Sequence, residues 1–237
     1  MTDDQPTSPA LLPSGLADLL PPDAEREALL VEAIMAAFAA HGYERVKPPL
    51  LEFEETLLAG SGVAVAEQTF RLMDPVSQRM MGLRADTTPQ VARIAGTRLA
   101  GDARPLRLCY AGQVLRVRGT QLAPERQVSQ AGVELIGTDA PAADAEVAVV
   151  ATEALAAVGL APATLDVTLP TMTPALLDAA SGVPPALAGR LARALDRKDA
   201  AAVDDLSAEA GAAAAPLPAL LRSAGPADGA LAALAAA

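Results

Sequence analysis

Arg107-Leu-Cys-Tyr-Ala-Gly-Gln-Val-Leu-Arg116-Val-Arg118, a short polar loop, and then Glu125-Arg-Gln-Val-Ser-Gln130-Ala-Gly-Val-Glu134-Leu-Ile-Gly137 read as two strands folded back on each other. Side chains alternate faces along a strand. With the loop centred near Ala123, antiparallel pairing sets Arg116 opposite Gln130, Arg118 opposite Val128 and Gly112 opposite Glu134. A cation, an amide and a carboxylate then share one sheet face, which suits a small zwitterion. The other face carries Leu115, Val117, Ser129, Ala131, Val133 and Leu135, which can pack on helices. A slip of one residue would exchange the two faces. The polar face also fits the solvated outside of an ordinary hairpin.

Composition limits what this face can belong to. At 237 residues the chain makes one or two domains and can bury a real core. No run of about twenty apolar residues has membrane character. The N-terminus is acidic and contains proline, unlike a secretory signal. One cysteine, Cys109, and one histidine, His41, leave little material for a disulfide, a metal site or a Ser/His/Asp triad. A reducing cytoplasm is expected, with no cofactor and no metal. The net charge of −11 argues against general nucleic-acid binding. Yet residues 84 to 126 hold eight arginines against three acids, Asp86, Asp102 and Glu125. A positive region in an acidic chain points to an anionic small ligand or an acidic protein partner.

Reading along the chain gives a mixed α+β domain. Residues 1–13 are expected to form a disordered tail. Pro21-Pro22-Asp23 opens a helix with Leu29, Leu30, Ala33, Ile34, Ala37 and Phe38 at helical spacing, and Gly42 closes it. His41 falls in its last turn, where a cation meets the helix dipole well. Tyr43 to Lys47 is extended, Pro48-Pro49 turns the chain, and Leu50 to Leu58 runs to a break at Gly60-Ser61-Gly62. Thr69 to Met73 and Arg79 to Leu83 form a hairpin across Asp74 to Gln78. Thr88 as N-cap and Pro89 behind it start a helix carrying Val91, Ile94, Ala95 and Leu99. Asp86, just before it, reads either as a site carboxylate or as a turn or capping group. Asp144 to Val158 is helical, and Thr164 to Leu169 a short strand. Residues 14–170 form the core. From 171 to 237 the chain becomes Ala-rich and helical, with periodicity in Leu187 to Leu195, and is expected to begin an insertion or a truncated remainder.

Several motifs in order now carry a resemblance. Gly15-Leu-Ala-Asp18-Leu-Leu-Pro21 resembles the entry segment of the histidyl-tRNA synthetase catalytic domain. Gly42-Tyr43-Glu44 through Pro48-Pro49-Leu50-Leu51-Glu52 resembles its motif 1, and Arg107 through Arg116 the start of motif 2. Ala142-Ala143-Asp144-Ala145-Glu146, following Gly137, completes the match, which covers about Gly15 to Leu169. The resemblance implies a class II aminoacyl-tRNA synthetase-like antiparallel sheet flanked by helices, incomplete at the C-terminus. It also implies a homodimer built through residues 43–52.

The departures from the synthetase pattern lie in the motif 2 loop. Arg118 stands where the synthetase has Glu, Gly119 and Pro124 replace arginines, and Val128 replaces Phe, while Arg126 and Gln130 match. In the synthetase those loop groups serve ATP and the tRNA acceptor end. Asp86, Thr88, Arg116, Gln130 and Glu134 stand on positions that hold histidine in the family. The stretch Leu83-Arg84-Ala85-Asp86-x-Thr88-Pro89-Gln90-Val91-Ala92-Arg93 is similar to the family of ATP phosphoribosyltransferase regulatory subunits, synthetase paralogues. That resemblance implies a non-catalytic protein of histidine biosynthesis. Its partner would be the short catalytic subunit of ATP phosphoribosyltransferase, and L-histidine its candidate ligand. In such a pocket Glu134 and Asp86 attract an ammonium, Arg116 a carboxylate, and Gln130 hydrogen-bonds the ligand. The alternatives are a histidyl-tRNA synthetase-type ligase, or an inactive truncated remnant of either.

Overall fold

The computed structural model describes residues 12–168, 171–179, 182–223 and 225–235. The expected disordered tail therefore lies outside the described residues, apart from Leu12 and Pro13. The chain divides into two units, Met1–Leu165 and Asp166–Ala237.

In the first unit, helix α1 spans Asp23–Ala40. Gly42, at φ +79°, ends it as expected. The amide of Gly42 donates to Ala39 O at 3.0 Å, and that of Tyr43 to Phe38 O at 3.2 Å. These two bonds form a Schellman closure and lay the Tyr43 ring beside Phe38. His41, the C-cap, meets Glu153 at 2.7 Å. Strand β1 (Glu44–Arg45) follows, then β2 (Leu51–Phe53) and a single helical turn, α2 (Glu54–Leu57). Gly60 takes φ +55°, but the expected break at Gly60–Gly62 opens a 3-10 helix, Gly60–Gln68, rather than a plain turn.

The expected hairpin is present as β3 (Arg71–Met73) and β4 (Met80–Leu83), paired antiparallel. Helix α3 is Thr88–Thr97, so the N-cap is Thr87 and not Thr88. No side chain caps that terminus from the N-cap position; instead Asp86 Oδ1 accepts the Thr88 amide at 3.0 Å. Strands β5 (Leu106–Leu115) and β6 (Gln127–Ile136) follow, then helix α4 (Pro141–Ala157), which starts three residues before the expected Asp144. The pieces assemble into two small sheets, β1-β5-β6 and β2-β4-β3. The first is not wholly antiparallel, because β1 runs parallel to β5.

The β5–β6 register differs from the expected one by four residues. Gly112, not Arg116, lies opposite Gln130, and Leu108, not Gly112, lies opposite Glu134. The cause is the turn. Thr120 N donates to Ala123 O at 2.8 Å and Thr120 Oγ1 accepts the Ala123 amide at 3.0 Å, so the chain reverses nearer β5 than expected. Because four is even, every side chain keeps its expected face. Cys109, Ala111, Ala131, Val133 and Leu135 pack with Met35, Phe38, Tyr43, Val150 and Ala154 of the α1 and α4 layer. On the opposite face Leu106, Leu108, Tyr110 and Ile136 pack on Val91, Ala95 and Leu99. Tyr43 donates to Glu146, which Arg107 grips through two bonds of 2.7 Å. Burial, with the Glu146 carboxylate beside it, pushes the Tyr43 hydroxyl up to about 12.

The strand expected at Thr164–Leu169 is not formed over residues 164–168; Leu169 lies outside the described residues. Leu165 and Val167 are exposed, and no described strand offers them a ladder. The second unit is helical: α5 (Met172–Ala179), α6 (Pro185–Asp196), α7 (Ala200–Ala210), α8 (Leu217–Arg222) and α9 (Ala227–Ala235). Its core is Leu187, Leu191 and Leu195 of α6, at helical spacing, against Val203, Leu206 and Leu217. Asp199 caps α7 by accepting the Ala202 amide at 3.1 Å.

Each core has a residue whose truncation tests it. Phe38→Ala should cost the first unit about 3–5 kcal/mol, and Leu191→Ala the second about 2–5 kcal/mol. Amide hydrogen exchange in α1 and α4, or in α6 and α7, reads the two losses separately. A cost below about 1 kcal/mol at either position would contradict the packing described.

Candidate functional site

The face of β5 and β6 that looks toward α3 is apolar at one end and polar at its centre. Three cross-strand pairs run along it: Leu108 with Glu134, Tyr110 with Gly132, and Gly112 with Gln130. Over them passes the loop Ala85-Asp86-Thr87 that enters α3, held against the end of β5 by the Leu115 amide on Arg84 O at 3.0 Å.

Gln130 ties loop to sheet. Its Oε1 accepts the Thr87 amide at 2.9 Å, and its Nε2 donates to Asp86 Oδ1 at 2.8 Å. The amide is thereby fixed in one orientation. The same Asp86 oxygen accepts the Thr88 amide, so this carboxylate serves both as the helix-entry group and as a member of the site. Thr88, freed from a capping role, donates its hydroxyl to Glu134 Oε1 at 2.8 Å and accepts from Tyr110 at 3.0 Å. A relay Tyr110, Thr88, Glu134 results. Four of the five expected site residues, Asp86, Thr88, Gln130 and Glu134, thus stand in one hydrogen-bonded group.

The environment is dry enough to alter the acids. Burial is the main cause that raises the Glu134 carboxyl above its ordinary range; the Thr88 hydroxyl opposes this and the nearby Asp86 charge adds to it. The Tyr110 hydroxyl is also raised, first by burial. A cation placed between Asp86 and Glu134 would relieve both effects.

Arg116 is not brought to this group. It lies four residues beyond Gly112 on the same face, about 13 Å along the strand. Its amide donates to Arg126 O at 2.7 Å. Its side chain is exposed and makes no hydrogen bond or ion pair among the described residues. Arg116 belongs instead with the turn, where Arg118 and Arg126 line a depression of about 340 Å³ with Ser14, Gly119 and Pro124. Arg126 is held by Ser14 O at 3.0 Å and stacks on Phe70. A larger depression of about 420 Å³ lies on the other sheet beside Glu54, Glu55 and Arg79, whose charges neutralise one another and Arg71.

Two members escaped the sequence reading. Tyr110 shares strand parity with Gly112 and Arg116, so alternation alone could have placed it. Gly132 is the second: a Cβ there would meet the Tyr110 hydroxyl at 2.6 Å, so the tyrosine lies flat only because position 132 has no side chain.

Comparison with known proteins agrees with this architecture. A family model for histidyl-tRNA synthetases matches residues 15–237. The chain is 61% identical over 225 residues to a protein of Paramagnetospirillum magneticum named ATP phosphoribosyltransferase regulatory subunit, across 95% of this chain and 58% of that protein. A protein of Rhodospirillum centenum with the same name is 58% identical across 100% of this chain and 60% of its own length. The chain therefore spans somewhat under two thirds of the relatives it matches. Among solved structures, an ATP phosphoribosyltransferase regulatory subunit/histidyl-tRNA synthetase from Bacillus halodurans superposes with a TM-score of 0.76 at 28% identity, over 94% of this chain and 58% of that one. A histidine–tRNA ligase subunit from Alicyclobacillus acidocaldarius gives 0.59, also at 28% identity, over 85% and 57%. With its class II synthetase-like α+β fold, the chain belongs to the histidyl-tRNA synthetase family, in the group whose members are named ATP phosphoribosyltransferase regulatory subunits.

Proposed function

We propose that the chain acts as a regulatory subunit of ATP phosphoribosyltransferase and performs no catalysis itself. It would be required by the short catalytic subunit for the first step of L-histidine biosynthesis, and would carry feedback inhibition by histidine. The observation that carries this reading is the name shared by relatives 52–61% identical to it over 94–100% of its length. The site is consistent with that role. Asp86, Thr88, Gln130 and Glu134 supply acceptors for a ligand ammonium, while Arg118, Gly119 and Pro124 occupy loop positions where the synthetase pattern has Glu and arginines. A ligand-binding protein that lacks the activating groups can bias an equilibrium between two states of a complex without turnover.

The remaining parts of this reading follow from it. The segment 43–52 would form a homodimer interface at the centre of a hetero-oligomer. The net charge of −11 fits a protein partner better than nucleic acid. No helix among the described residues is long and apolar enough to cross a membrane, and a cytoplasmic site of action accords with a biosynthetic role. The competing reading, a histidyl-tRNA synthetase-type ligase, draws on the same amino-acid positions but needs loop groups that this chain replaces.

Co-purification with the short catalytic subunit, followed by its phosphoribosyl-transfer rate with and without the chain, tests the assignment. A stable complex and a rate increase of at least about tenfold are expected, together with no histidine-dependent exchange of pyrophosphate into ATP. Robust exchange would establish the ligase instead. Within a responsive complex, Glu134→Ala should weaken histidine inhibition by at least about tenfold, since a charge-assisted contact is worth about 1.5–3 kcal/mol. An unchanged inhibition curve would remove Glu134 from the pocket.

The state of Glu134 also sets a pH dependence. Its carboxyl is raised in the folded chain, so the fold favours the protonated form. The stability this confers is complete at low pH and is lost as pH rises through the raised value. Glu134→Gln cannot ionise. Its melting temperature should therefore rise relative to that of the original chain as the pH climbs from the ordinary carboxyl value of about 4 through the raised one. A difference that stays constant, or moves the other way, would show that Glu134 is not held in this environment.

A further inference from the structure

Arg84 is the one charged side chain in the core of the first unit among the described residues, 7% exposed. Its Nε donates to Gln113 O at 2.8 Å and its Nη1 to Pro48 O at 3.1 Å, both neutral carbonyls. Nearby arginines have carboxylates: Arg107 has Glu146, Arg93 has Glu52, Arg71 has Glu54. Arg84 has no such partner among the described residues, and its Nη2 makes no hydrogen bond there. A cation withdrawn from water without a counter-ion is costly, and a bound anion would offset that cost.

Where that free end points is the second observation. The Arg84 Nη2 fills the space in which Gly112 would carry its Cβ. Gly112 is directly opposite Gln130, whose amide is bonded to Asp86. Opposed Cβ positions in such a pair stand about 5 Å apart. A buried guanidinium and a carboxylate therefore flank one fixed amide. An α-amino acid carries an ammonium and a carboxylate on a single carbon, the two charges that a carboxylate and a guanidinium receive.

We propose that Arg84 is the carboxylate anchor of this site: it receives the carboxylate of a free α-amino acid whose ammonium lies at Asp86, with Gln130 between them. This rests on the amino-acid reading of the pocket given above, and it replaces Arg116, which lies out of reach at the turn. Arg84 binds the ligand as a bidentate donor through Nη2 and the remaining Nη1 hydrogen.

Calorimetric titration of the purified chain with L-histidine and with L-histidinol, which has a hydroxymethyl group in place of the carboxylate, isolates the contact. The chain should bind histidine at least about tenfold more tightly than histidinol. In Arg84→Gln the two affinities should fall within about twofold of each other, with that for histidinol little changed; in Arg116→Gln the gap should persist. Equal binding by the unmodified chain, a gap unaltered in Arg84→Gln, or a gap closed by Arg116→Gln would each overturn the assignment. If Arg84→Gln fails to give a cooperative melt, the unmodified chain and Arg116→Gln still decide it. Binding of neither ligand would defeat the amino-acid reading itself, and Arg84 with it.

Discussion

The ten-residue antiparallel pairing of β5 with β6 is the constraint on which the rest of the first unit depends. Both faces of this ribbon are committed. One face is sealed by α1 and α4 through Phe38, Met35 and Val150. The other meets α3 at its apolar end and carries the polar group at its centre. A shift of one residue would send Glu134 and Gln130 into the helical layer and expose Val133 and Ala131. The core thus enforces the parity of the site, and burying each large apolar side chain there is worth about 1.5–3 kcal/mol.

That parity was legible in the sequence, and the register was not. Alternation along Val128 to Leu135 separates the faces without reference to any partner. Register depends on the turn, and there Thr120 makes a local closure that no hydrophobic pattern announces. The α1 terminus was readable because Gly42 is the residue its geometry needs. The Thr88 position was misread for an instructive reason. A threonine before proline is a good cap by local chemistry, but here the hydroxyl is claimed by Glu134, 46 positions away. The strand expected at Thr164–Leu169 had suitable residues over 164–168 and no neighbour among the described residues to pair with. Fold class and most site members were written in short-range signals, whereas Arg84 and Tyr110 acquire their meaning only from contacts across the fold.

The site and the turn are two separate chemical regions of one ribbon. The centre is partly dry, anionic and rigidly bonded. The turn is exposed, and Arg116, Arg118 and Arg126 make it cationic. In the synthetase pattern such a loop works together with the pocket on one reaction. Here Arg118 reverses the charge at a position of that loop, while Thr88, Gln130 and Glu134 match the pattern and Asp86 stands where it has Glu. The ribbon therefore presents opposite charge at its centre and at its turn.

Gly132 and Tyr110 form a volume exchange across the ribbon: one position gives up a side chain so that the other can lie over it. This makes the two positions a single unit of inheritance. A methyl group gained at 132 would lift the ring and break its bond to Thr88, whose hydroxyl would then keep only its bond to Glu134. The chain could tolerate that methyl only alongside a smaller residue at 110, and that smaller residue would open a hollow beside Glu134. The size of what can sit against this carboxylate is thus written at a position that has no side chain of its own.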